Sequence, residues 1–102
     1  MVRFSFKGHL VRDGRESQLL CLTVSEPYQT DEGRFGCLFR CEELMSEPYE
    51  TTGETPEDAL ASGVLMARAF LRGCGGEYLN EDGVEIQLPS PTEIDPTFPM
   101  DS

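Results

Sequence analysis

Apolar residues alternate with polar ones along most of the first half of the chain. In RFSFKGHLV, Phe4, Phe6 and Leu10 fall on one face, and Arg3, Ser5, Lys7 and His9 on the other. Period-two patterning of this kind predicts a half-buried β-strand. Asp13-Gly14 follows within Arg12-Asp13-Gly14-Arg15, and predicts a hairpin turn, since glycine accepts positive φ. In SQLLCLTV, Leu20, Leu22 and Val24 share one face and Leu19, Cys21 and Thr23 the other. Both faces are apolar enough to predict a central strand, ended by Pro27. A polar loop through Gln29, Thr30, Asp31, Glu32 and Gly33 leads to RFGCLFRCE, where Phe35, Cys37, Phe39 and Cys41 line one face. A weaker strand over Glu47–Thr52 contains Pro48, which cannot donate a ladder hydrogen bond and so belongs at a sheet edge.

The period then changes. Ala59, Leu60, Gly63, Val64, Ala67, Phe70 and Leu71 recur at helical spacing. Thr55 is a good N-cap, Pro56 suits the first helical position, and Glu57 and Asp58 suit the positive end of the helix dipole. Asp58 stands three residues after Thr55, which approximates a capping box. Arg68 and Arg72 suit the C-terminal end, and Gly73, Gly75 and Gly76 stop the helix. The expected span is 56–72. Beyond it, EYLNEDGVEIQL predicts a short hairpin or a turn and strand bending at Asp82-Gly83. Its Asn80-Glu81-Asp82-Gly83 lacks the twelve-residue ligand pattern of a calcium loop. The closing PSPTEIDPTFPMDS holds four prolines and predicts a tail. The expected architecture is α+β: an antiparallel meander of about four strands with one long helix across one face, a two-layer sandwich. Residues 1–89 form the single domain and 90–102 a proline-rich acidic tail.

Charge sharpens this picture. The net charge is −11, yet residues 1–40 carry six bases against five acids, while residues 41–102 carry fourteen acids and only Arg68 and Arg72. Seven of the eighteen residues in CEELMSEPYETTGETPED are acidic, with no Lys or Arg among them. Such a field repels nucleic acid and anionic membrane surfaces, and it attracts basic proteins. It also keeps a small protein soluble. No apolar run approaches the roughly 20 residues of a membrane helix. MVRFSFKGHLVRDG alternates without a long apolar stretch, so no signal peptide is expected. The expected location is cytoplasmic, with the four cysteines reduced.

Candidate chemistry is sparse. His9 is the single histidine, set among solvent-side residues with no orienting carboxylate or nucleophile in view. Cys37 and Cys41 lie four apart on one strand face, about 13 Å at 3.3 Å per residue, too far for one zinc ion or a disulfide. With Cys21 and Cys74 they read as free thiols. Gly73-x-Gly75-Gly76 follows a helix, where a dinucleotide loop would precede one. No cofactor, metal site or catalytic residue is expected.

The order of motifs is similar to an uncharacterised family of small bacterial α+β proteins. The residues that carry the likeness are Val24-Ser25-Glu26-Pro27, Cys37-Leu38-Phe39, Gly53-x-Thr55-x-x-x-Ala59-Leu60 and Leu88-Pro89, across residues 10–90. The chain departs from the family in the extra acids around the helix start and in the proline-rich tail. Small acidic proteins of this kind look like immunity proteins of secreted toxin systems. The resemblance implies a non-enzymatic inhibitor that binds a basic toxin or effector domain. Glu42, Glu43, Glu47, Glu50, Glu54, Glu57 and Asp58 would make the contact, with Tyr49 as an aromatic anchor. Two other readings stand beside it: a phage-type nucleic-acid mimic that blocks a host defence protein, and a small ligand-binding or enzymatic domain using a pocket between sheet and helix.

Overall fold

A computed structural model describes residues 2–13, 17–30 and 32–98. The elements are β1 (Val2–Val11), β2 (Gln18–Ser25), β3 (Tyr28–Gln29), β4 (Phe35–Cys41), β5 (Tyr49–Gly53), α1 (Pro56–Cys74), β6 (Glu77–Leu79) and α2 (Pro91–Ile94). All strand pairs are antiparallel, in the spatial order β6–β1–β2–β4–β5. The short β3 pairs with β4 through Tyr28 and Gln29, on the edge of β4 that β2 also uses. The molecule is thus α+β, an antiparallel sheet with one long helix packed against it.

The sheet has six strands, more than the four the patterning predicted. Two physical causes account for the difference. Pro27 has no N–H, so it interrupts the ladder and splits the strand that runs along β4 into β2 and β3. Glu77–Leu79 is only three residues long, too short to show a period, yet it pairs with His9, Leu10 and Val11 at the far edge of β1. The predicted Asp13-Gly14 turn extends outside the described residues.

The predicted alternation fixes which face is covered. Leu10, Leu20, Leu22, Val24, Cys37, Phe39 and Cys41 point to one side and are buried. They meet Ala59, Leu60, Val64 and Ala67 of α1, with Tyr78 joining from β6. Phe70 closes edge-to-face on Phe39 at 5.3 Å between ring centroids. The small residues on α1 permit close approach. A Cβ at Gly63 would come within 2.8 Å of Cys37 Sγ, and a Cβ at Gly53 within 2.6 Å of the Ala59 backbone. Between these glycines Thr51 is buried, its hydroxyl 3.3 Å from Cys37 O and 3.2 Å from Ala59 O. The resemblance motif Gly53-x-Thr55-x-x-x-Ala59-Leu60 is therefore the seam where the helix start meets the edge of the sheet.

α1 runs two residues past its expected end. Gly73 stays helical, a cost of about 1 kcal/mol relative to alanine that the turn tolerates. The stop is Gly75, whose φ is 73° and whose N–H bonds Arg72 O. Only Arg72 stands in the last turn, while Arg68 donates to Leu88 O at 3.1 Å and ties the following segment to the helix. The expected bend at Asp82-Gly83 is present: Asn80 Oδ1 accepts from the N–H groups of Asp82 and Val84, and Gly83 takes a φ of 79°. Beyond it, Pro91 is fully buried and α2 rests on α1.

Candidate functional site

The acidic run does not form one cluster. It frames the edge strand β5. Glu42, Glu43 and Glu47 lie in the turn before this strand, Tyr49 and Glu50 within it, and Glu54, Glu57 and Asp58 after it. Five strand residues separate the two acidic turns by about 17 Å at ~3.4 Å per residue.

Four of the acids have local partners. Glu43 Oε1 accepts the Cys21 N–H at 2.9 Å. β4 ends at Cys41, which pairs with Leu22, so the ladder leaves the next N–H of β2 without a backbone acceptor; the Glu43 carboxylate supplies one. That hydrogen bond, more than any other contact, holds the Glu43 carboxyl below its ordinary range. Asp58 accepts from the Glu54 N–H at 3.2 Å, and its own N–H bonds Thr55 Oγ1 at 3.0 Å. This is the expected cap in altered form: the short aspartate reaches the residue before Thr55, not Thr55 itself. Glu50 accepts the Tyr28 hydroxyl across β4. Burial, followed by this bond, pushes the Tyr28 hydroxyl up to about 12. Glu42 pairs with Arg40 at 3.7 Å, an exposed contact of small energetic value.

Glu47, Glu54 and Glu57 are exposed, and no side-chain partner meets their carboxylates among the described residues. Tyr49 stands among them, 48% exposed at the sheet edge. Compared with protein-family models, with curated protein sequences and with solved structures, the chain matches none.

The remaining candidates are dispersed. His9 is half-buried on the face of the sheet that no helix covers. Cys37 lies under the helix, its Sγ donating to Ser25 O at 3.1 Å. Burial raises the Cys37 thiol. It raises the thiols of Cys21 and Cys41 too, the nearby Glu43 adding to the effect. All four cysteines are free. A groove beside the C-terminal half of α1, lined by Leu71, Arg72, Glu85 and Ile86, includes neither His9 nor Cys37. Among the described residues, no group of three or more His, Cys, Asp or Glu side chains is placed to hold a metal ion. No described helix is long and apolar enough to cross a membrane.

Sequence reasoning missed Tyr28 and Arg40 as the partners of Glu50 and Glu42. The Arg40–Glu42 spacing is visible in the chain. The Tyr28–Glu50 pair depends on both strands flanking β4, and has no local signal.

Proposed function

We propose that this protein is a non-enzymatic cytoplasmic inhibitor of the immunity-protein kind, binding a basic toxin or effector domain through the β5 edge. The observation that carries this reading is the row of carboxylates with no side-chain partner among the described residues, Glu47, Glu54 and Glu57, exposed on either side of Tyr49. Carboxylates without a partner keep their full attraction for a cation, whereas those committed to a backbone N–H or a neighbouring arginine have part of it used already. Enzymes that act on anionic substrates have basic clefts, and a row of acids in such a cleft takes the place of the substrate's charge. Tyr49 supplies the rigid aromatic contact that interfaces favour.

The contact set proposed from sequence therefore sorts by role. Glu47, Tyr49, Glu54 and Glu57 make the partner contact. Glu42 and Glu50 add to the local field, while Glu43 and Asp58 hold the turns that present it.

The test uses the basic protein that co-purifies with this chain from its native host, with association followed at low and high salt. The triple substitution Glu47→Gln, Glu54→Gln, Glu57→Gln is expected to slow association about tenfold at low salt, and the difference to shrink as salt screens the field. Equal rates for the two proteins would remove the electrostatic basis of the reading.

A further inference from the structure

The sheet has a second face that neither helix covers. Alternation along the strands places Lys7 and His9 of β1, Leu19, Cys21 and Thr23 of β2, and Leu38 and Arg40 of β4 on it. Val2 and Leu19, exposed to 52% and 40%, lie on the same side. This face carries Lys7, His9 and Arg40, with Glu50 beside Leu38 at its β5 margin, whereas the molecule as a whole carries −11.

Its charges are arranged asymmetrically about β2. Lys7 pairs in register with Cys21, so it stands level with that residue on the β1 side. Glu43 binds the Cys21 N–H from the β4 side, and Glu42 adjoins it, so these carboxylates stand level with Cys21 on the opposite flank. Four residues further along β2, Val2 pairs with Ser25 from the β1 side, and the Leu38 N–H bonds Ser25 Oγ from the β4 side.

A two-fold axis parallel to β2, lying just outside this face, exchanges the two flanks and preserves the level along the strands. It sets Lys7 of one copy opposite Glu42 and Glu43 of the other, and Val2 opposite Leu38. Uncharged Cys21 and Thr23 meet their own copies at the axis. A surface that complements itself under such a rotation meets the requirement of an isologous dimer interface. Twisted sheets stack in this aligned way, ~10 Å apart. The footprint is modest. Eight residues of β2 span about 27 Å and β1, β2 and β4 together about 14 Å, giving roughly 400 Å² per copy. The total of about 800 Å² is that of a weak interface, one that dissociates on dilution.

We propose that the uncovered sheet face is the interface of a two-fold homodimer, with β2 of each copy at the axis. Glu47, Tyr49, Glu54 and Glu57, the residues assigned to the partner contact, stay outside this interface, so the proposal goes beyond the partner-binding reading.

Sedimentation equilibrium on the full chain tests it. The expected mass is twice 11.4 kDa at the upper end of a concentration series, falling toward 11.4 kDa on dilution. Lys7→Glu is expected to raise the dissociation constant about tenfold, and the charge swap Lys7→Glu with Glu42→Lys to recover most of that loss. Leu38→Glu serves as a second disruption, with circular dichroism confirming that each variant is folded. A short bis-maleimide is expected to link two chains through Cys21, with the link lost in Cys21→Ser. A mass of 11.4 kDa throughout the series overturns the proposal. So does a dimer that is indifferent to Lys7→Glu and does not cross-link at Cys21, which would place the contact on another surface. Glu47→Gln with Glu54→Gln is expected to leave the mass unchanged, separating this interface from the partner edge.

Discussion

Glu43 shows how much one carboxylate can do at the end of a ladder. Its oxygen stands where the next carbonyl of β4 would have stood, and it accepts the Cys21 N–H. The lowered folded value has a definite sign in the pH dependence. The contribution is complete above the ordinary carboxyl range, near pH 4.5, and is lost as the pH falls through the lower folded value. Glu43→Gln keeps an acceptor but removes the charge. It is expected to cost about 0.5 kcal/mol at neutral pH, a small figure because the site is open to solvent. In denaturant melts the variant's stability is then expected to fall less steeply than the parent's below pH 4.5. Parallel acid limbs would show that Glu43 contributes nothing through its ionisation. None of this is legible in the run CEEL, because the role depends on register: Glu43 matters where β4 stops relative to Leu22.

At the scale of elements, the strands and the helix were legible for different reasons. A strand buries alternate residues, so Leu20, Leu22 and Val24 announce their face, as do Cys37, Phe39 and Cys41. The helix start was legible because Thr55 and Pro56 are chosen by local backbone chemistry. Its end was not, since one glycine inside a helix and one beyond it look alike until φ is known. The same limit applies to the acidic run. Its composition was plain, but the sorting into capping, paired and unpartnered acids needed the fold. What joins helix to sheet is the seam at Gly53, where a Cβ would come within 2.9 Å of the Asp58 and Ala59 backbone. Backbone cannot yield as a flexible side chain would. Gly53→Ala is therefore expected to destabilise by about 2 kcal/mol, read as a lower denaturation midpoint at unchanged m-value. An unchanged midpoint would mean that the helix start shifts freely against β5.

For the molecule as a whole, the sheet is completed from both edges by one crossing. β5 closes one side, α1 spans the covered face over about 28 Å, and β6 closes the other side against β1. Tyr78 fastens that last strand: its ring lies over Gly8, and its hydroxyl donates to Leu20 O at 2.7 Å, a contact 58 residues apart in sequence. Burial pushes this hydroxyl up to about 12, so it remains a donor at all physiological pH. Its role was not legible in EYLNEDG, because the partner lies across two strands from the other end of the chain. The consequence is kinetic. A pairing that closes so long a loop forms late, since the entropy of closure must be met before the contact contributes. It is also expected to be the first to open. In native-state hydrogen exchange, the amides of Glu77–Leu79 are expected to lose protection through a partial opening that leaves β2 and β4 protected. Tyr78→Phe is expected to hasten that opening about fivefold without touching the exchange of Leu22 or Phe39, the loss of one buried hydrogen bond of about 1 kcal/mol. Uniform exchange across all six strands would mean that the sheet opens as one unit. On this account the edge beyond β1 unlatches while the β5 edge keeps its shape, and the two ends of the sheet live on different timescales.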